Sequence, residues 1–288
     1  MNIKRGYCMT NRVLSWGKHN LEFGKRTLIM GVVNVTPDSF SDGGLFFNSK
    51  VAIKHAKQLE KDGADIIDIG GESTRPGSET ITLKEELRRV IPVIEGIANK
   101  IDVPISIDTC KSEVALAALD AGASIINDIS AARFDPKIAD VAAQNNVPII
   151  LMHMQGTPKN MQKDPKYDDV MEDIKEFLKQ RVDFTLSKGI SRENIIIDPG
   201  IGFGKTLEHN YEIIKRLGEL KELDLPILIG TSRKSFIGNT LNLDINDRLE
   251  GTLATVTITI INGADIVRVH DVKEAKRAAQ MADAIYKN

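Results

Sequence analysis

Cysteine is scarce in this 288-residue chain, with only Cys8 and Cys110 present. Two cysteines cannot make a disulfide framework, so the fold has to rest on a buried core, and reduced thiols in a cytosolic setting are the expected state. Charge of one sign is lacking as well. Thirty-eight Lys and Arg against forty Asp and Glu leave a net charge of −2, which excludes a general electrostatic binder of nucleic acid or of a membrane surface. Any anion must be held locally. Long apolar runs are also missing: residues 251–264 are the best candidate, fourteen residues studded with threonine, short of the roughly 20 that a spanning helix needs. Lys4 and Arg5 have no apolar stretch behind them, so no secretory signal is expected and a soluble, cytoplasmic protein is. No low-complexity segment and no linker divide the chain.

What the chain does have is enough apolar residue for a full core, 42% hydrophobic against 27% charged, distributed with a regular beat. Short β-branched runs fall at 28–34 (LIMGVVN), 64–70 (ADIIDIG), 104–108 (PISID), 124–128 (SIIND), 148–152 (PIILM), 195–198 (IIID), 226–230 (PILIG) and 265–269 (DIVRV). From first to last they are spaced about 34 residues apart, the length of one strand–helix unit. Each is continuously apolar, as strands covered on both faces are. Between them, apolar residues recur with helical period at 49–62, 82–99, 112–121, 135–144, 168–188, 207–220, 247–261 and 273–286. Ser49, Thr82 and Asp135 are the expected N-caps. A small repeat, GADI at 63–66, GASI at 122–125 and GADI at 263–266, puts a glycine where a helix should end and a strand begin. The expected architecture is α/β, a single (β/α)8 TIM barrel over residues 28–288. Residues 1–27 form an extension whose 13–24 segment reads as a hairpin closing the bottom of the barrel. A doubly wound sheet with extra units is the alternative on this pattern.

In a barrel the carboxyl ends of the strands form the active-site mouth. Asn34, Asp108, Asn127, His153, Asp198, Ser232, Arg268 and His270 all fall there. One such residue can simply begin a loop; strand after strand ending in a hydrogen-bonding side chain points to a shared pocket. Asp108 and Asp198 close runs too apolar for a surface strand, so each carboxylate needs donors, from a helix cap or from a ligand. Two carboxylates with Asn127 suit a flat heterocycle with several N–H groups. The cations lie after the last two strands, in 230–235 (GTSRKS) and at Arg268 and His270, where barrels hold phosphate. Arg233 and Lys234 read either as part of that anion site or as solvated helix-start charges.

Residues 199–206 (PGIGFGKT) miss a phosphate loop by one glycine position, and a mobile turn presenting Phe203 as a stacking surface is the better reading. No histidine or cysteine spacing suggests zinc; a metal, if used, is expected to be Mg²⁺ carried by a phosphate and touched by an oxygen ligand such as Asn34. Two long glycine-bearing loops, 35–48 and 71–80, have the composition of mobile lids.

Together these segments resemble a known family. NVTPDSFSDGG at 34–44 and DIGGESTRPG at 68–77 are similar to the two signature segments of the dihydropteroate synthases. Further matches are SIDT at 106–109, IND at 126–128, MHMQGTP at 152–158, DPGIGFGK at 198–205, SRKSFIG at 232–238 and RVHD at 268–271. The resemblance runs from about residue 28 to the C-terminus. It implies a TIM barrel that joins 6-hydroxymethyl-7,8-dihydropterin diphosphate to 4-aminobenzoate, using Mg²⁺, in a homodimer inhibited by sulfonamides. Carried over position by position, it implies that Asp108, Asn127, Asp198 and Lys234 grip the pterin, with Met152 and Arg268 flanking the ring. Asn34 would ligate Mg²⁺. Asn34, Arg75, Arg268 and His270 would hold the diphosphate, and Thr74, Pro76, Phe203 and Ser235 the aminobenzoate. Asp38, Arg75, Lys234, Arg268 and His270 would be the residues acting on the reacting groups. A methyltetrahydrofolate–corrinoid methyltransferase could share the pterin site, but has no need of a diphosphate cluster. A catalytically silent pterin-binding paralogue would not turn over aminobenzoate. A sugar-phosphate isomerase would leave Asn127 and Asp198 idle.

Overall fold

The structure, a computed structural model, describes residues 12–36, 44–75 and 77–287. The chain opens with an antiparallel hairpin, β1 (Arg12–Trp16) and β2 (His19–Phe23), whose register pairs Leu14 with Leu21. Its inward residues Leu14, Trp16, Leu21 and Phe23 are buried in the same apolar cluster as the barrel strands. Arg12 donates to the carbonyl and carboxylate of Asp224, in the connection that enters a barrel strand, so the hairpin lies at the amino-terminal end of the barrel, as expected.

Eight parallel strands follow: β3 (Leu28–Asn34), β4 (Ile66–Gly70), β5 (Ile105–Asp108), β6 (Ile125–Asp128), β7 (Ile149–Met152), β8 (Ile195–Asp198), β9 (Leu228–Ile229) and β10 (Ile266–Val269). Their order in the sheet is β8-β7-β6-β5-β4-β3-β10-β9, and a parallel bridge from Ile197 to Ile227 joins the two edges into a closed barrel. With no edge strand left and helices outside, both faces of every strand are covered, which is why these runs are apolar throughout.

The helices are α1 (Gly44–Lys61), α2 (Leu83–Ile97), α3 (Ser112–Asp120), α4 (Lys137–Asn145), α5 (Val170–Ser187), α6 (Leu207–Arg216), α7 (Ser235–Leu241), α8 (Leu249–Ile261) and α9 (Val272–Tyr286). Gly63, Gly122 and Gly263 of the repeat sit at φ of +100°, +113° and +107°, conformations that end a helix cheaply only without a Cβ.

Three local expectations need correction. Ser49 is not an N-cap: α1 already begins at Gly44, because no proline interrupts 44–49 and nothing stops the helix from running back toward the loop. Asp135 works from one residue further out than a cap: Pro136 precedes α4, while the Asp135 carboxylate accepts from Lys137 N and also from Ser112 N at the start of α3. The short α7 was not expected; seven residues are too few to show a helical period. Thr82 does cap α2, accepting from Glu85 N at 3.3 Å.

Candidate active site

The deepest member of the site is one that sequence reasoning missed. Asp68, in the middle of β4, has no solvent exposure (0%). Its Oδ2 accepts from Arg268 Nε at 2.7 Å and from Asn127 Nδ2 at 3.1 Å, tying β4 to β10 and to β6. Arg268 spans two carboxylates, donating from Nη2 to Asp108 Oδ2 at 2.8 Å as well. Parallel register explains the meeting: Gly70, Asp108 and Asn127 lie side by side, and Asp68, two residues before Gly70 on the same face of β4, sits one step below them. The sequence signals for Asp68 were a charged residue inside an apolar run, ADIIDIG, and its place at the head of the DIGGESTRPG segment.

Asp198 closes the other side of the floor. One oxygen accepts from Gly200 N at 2.7 Å, so the cap reading holds for that oxygen. Burial raises its pKa to about 6, against the opposing pull of that N–H, Lys234 and Lys205. Burial raises Asp108 to about 7, with Arg268 pulling it down and Asp68 and Glu86 pushing it further up. Lys234 is lowered to about 8 by burial and by Arg268, with Asp198 and Asp108 opposing. Its ammonium lies 4.2 Å from the centroid of the Phe203 ring, a favourable cation–π contact. Phe203 and Met152 belong to one small buried apolar cluster with Ile129, Met154 and Met161. The floor is thus polar on the Asp68–Arg268 side and apolar on the Met152–Phe203 side.

The 199–206 turn is fastened rather than mobile. Gly202 is held at both backbone groups, by Asn210 and Gln162, Tyr167 donates to the Gly204 carbonyl, and buried Lys205 donates to the Phe203 carbonyl at 2.9 Å. At Gly200 a Cβ would stand 2.0 Å from the His153 carbonyl oxygen; no side chain fits there.

His153 does not face the mouth. Its imidazole is buried with Nδ1 3.0 Å from Lys205 Nζ and its ring edge-on to Phe177 at 4.8 Å. Burial and the Lys205 charge hold its pKa well below the histidine range. The residues after β7 pack against the 199–206 turn, His153 N donating to the Asp198 carbonyl and Gly204 lying against Gln155, and the imidazole is held on the Lys205 and Phe177 side.

At the anion end, Ser232 Oγ lies 3.0 Å from His270 Nδ1 and accepts from His270 N at 3.2 Å. Burial, then Arg268 and Arg233, lower the His270 pKa to about 3, so it faces the site as a neutral imidazole and not as a cation. Arg233 is occupied elsewhere, ion-paired to Asp271 at 2.5 Å, which leaves Lys234 as the member of that pair directed to the floor. Asn34 ends β3 beside Gly70. Ser235, the first residue of α7, is exposed.

The rim is different in kind. Thr74 is half-buried and Arg75 exposed, both on the 71–80 loop, which Gly77 N joins to the Pro158 carbonyl across the mouth at 3.0 Å. Asp38, Pro76 and residues 37–43 of the 35–48 segment lie outside the described residues, and 44–48 belong to α1.

The pterin binding enzyme family matches residues 30–270. The dihydropteroate synthase of Synechocystis is 51% identical over 94% of the chain and 94% of its own length. A crystal structure of the Yersinia pestis dihydropteroate synthase with a sulfonamide drug complex superposes with a TM-score of 0.91 at 44% identity, over 96% of this chain and 100% of that one. The Xanthomonas albilineans dihydropteroate synthase in complex with 7,8-dihydropteroate gives 0.86 at 39% identity, over 95% and 98% of the two chains. The chain belongs to the pterin binding enzymes and, among them, to the dihydropteroate synthase family.

Proposed function

We infer that this chain condenses 6-hydroxymethyl-7,8-dihydropterin diphosphate with 4-aminobenzoate to 7,8-dihydropteroate and diphosphate, the reaction its relatives are named for. The observation that carries the reading is the floor itself: Asp108, Asn127 and Asp198 converge with Arg268 and Lys234 at the carboxyl ends of the strands. The pterin edge donates to Asp198 and Asp108, Asn127 reads it with an amide, and Met152 and Arg268 flank its ring. Thr74, Pro76, Phe203 and Ser235 take the aminobenzoate. Sulfonamides would compete there, as the drug complex of the Yersinia pestis relative suggests.

The chemistry needs no covalent enzyme nucleophile. The arylamine nitrogen attacks the methylene carbon, the carbon–oxygen bond to diphosphate breaks, and the amine loses a proton. The chain's part is to align the two substrates and to stabilise the departing charge. Arg268, Lys234 and Arg75 supply positive charge, and the neutral His270 supplies a hydrogen bond. Among the described residues no group of three His, Cys, Asp or Glu could cage a metal. A hard cation delivered by a diphosphate needs only one or two protein oxygens, and the Asn34 amide, a neutral oxygen donor at a strand end, fits that demand. Mg²⁺ bound there would offset charge on the leaving group.

The assembly we propose is a homodimer. Along α8 and α9, Ile258, Ile261, Met281, Ile285 and Tyr286 are exposed, an apolar face of the kind that marks an interface. Sedimentation of the chain and of Ile285→Asp tests it: the substitution should shift a dimer toward monomer. No helix among the described residues is long and apolar enough to cross a membrane. A cytoplasmic location suits the free thiol of Cys110.

Diphosphate release tests the reaction directly. Release that requires both substrates is expected; release with the pterin diphosphate alone, or none with both, would overturn it.

A further inference from the structure

We propose that Lys111 is a positioning residue for the aminobenzoate half of the site, locking the 71–80 loop to the strand that carries Asp108. The inference rests on the reaction proposed above. Lys111 stands between β5 and α3, and its ammonium lies 2.5 Å from Glu72 Oε2 and 2.6 Å from Glu86 Oε2. Glu86 is a fully buried carboxylate on α2, and its other oxygen accepts from Thr109 Oγ1 at 2.6 Å. Thr109 directly follows Asp108, and its hydroxyl accepts in turn from Lys111 N at 3.2 Å.

These contacts form one continuous path. It leaves the pterin floor at Asp108, passes through Thr109, Glu86 and Lys111, and reaches Glu72, two residues before Thr74 and three before Arg75. The residues on either side of Glu72 are fastened as well: the Gly71 carbonyl accepts from Arg89 Nη1 at 2.8 Å and the Ser73 carbonyl from Ser78 Oγ at 2.6 Å. Those two bonds stay within the loop and the helix that follows it. The Lys111 bridge goes to the neighbouring strand, and so sets the height of the rim over the floor. Glu86 is buried, so losing Lys111 would leave its carboxylate unpaired in a dry place; Lys111 and Glu72 are half-buried, and their pair ties the loop to that anchored lysine. A Lys that only neutralised Glu86 would not need Glu72.

The test separates those two roles. Glu72→Gln leaves the Lys111–Glu86 pair intact and removes only the link to the loop; Lys111→Met removes both; Lys111→Arg keeps a cation with a different reach. The full chain should show an aminobenzoate KM raised about tenfold in Glu72→Gln and in Lys111→Met, with pterin diphosphate Kd by calorimetry within about twofold of the parent. Lys111→Arg should recover most of the loss. Where Lys111→Met fails to fold, Glu72→Gln alone decides. An unmoved aminobenzoate KM in Glu72→Gln, or equal rises in KM and in pterin Kd, overturns the role of Lys111 while normal parental turnover keeps the reaction. A parent chain that releases no diphosphate overturns the reaction and this role with it.

Discussion

The floor and the rim of this barrel are built by opposite means. Floor groups sit on strands or on one turn tied down by side chains: Asp68, Asn127 and Asp198 are buried, and Arg268 is pinned by two carboxylates. Rim groups sit on loops, with Arg75 exposed to solvent. The floor can hold its hydrogen-bonding pattern before any ligand arrives, and so can bind and discriminate. The rim is tied down at Glu72 by Lys111 but holds Arg75 out in solvent, and contributes chiefly when charge develops on the leaving diphosphate.

The sharpest way to break that contrast is at the floor. Asn at position 198 can keep the Gly200 N–H bond through its remaining oxygen, but turns an N–H₂ toward donors on the pterin. Asp198→Asn should therefore fold normally and weaken pterin diphosphate binding by about 100-fold or more. Calorimetric titration checks it, and unchanged affinity would reduce Asp198 to a turn cap.

The rim should answer differently. Arg75→Ala is expected to lower kcat about 100-fold, as loss of a group serving the transition state does, while pterin diphosphate affinity stays within about threefold. Equal losses in steady-state kinetics and in binding would place Arg75 in the ground-state pocket. Order of binding is a third probe. Aminobenzoate should bind the free chain at least about tenfold more weakly than it binds the chain holding diphosphate and Mg²⁺, since its pocket is completed by loops. Equal affinities in titrations with and without diphosphate would collapse the distinction.

The smallest effect is protonic and belongs to the floor alone. Burial raises Asp198 to about 6 and Asp108 to about 7, so the ligand-free fold keeps protons that the unfolded chain has already lost. Their contribution to stability is therefore present below the ordinary carboxylate range and lost as pH rises through about 6 and about 7. A pterin that donates to both carboxylates favours their ionised forms. Its binding should release protons between about pH 5.5 and 7.5, and affinity should rise across that window and level off above it. Calorimetry in buffers of different ionisation enthalpy measures the release; no release would mean that the carboxylates are already ionised in the free protein.

The amino-acid pattern by itself determined the barrel and most of its mouth. Continuous β-branched runs at strand–helix spacing, glycines with positive φ at the helix ends and polar residues at the strand ends are local properties, set by backbone sterics and by burial on both faces, and they survive in the linear order. Asp108, Asn127, Asp198 and Arg268 were legible for that reason. Tertiary structure decided what depends on register across strands and on packing between distant segments. It placed Asp68 beneath Arg268, two hundred residues away, turned His153 out of the mouth toward Lys205, and left His270 neutral by burying it beside Arg268. It also joined Glu72 to Lys111. A residue's period and neighbours in sequence state which face it can occupy; only the closed sheet states which charges meet there and how dry they are, and that sets both their pairing and their protonation.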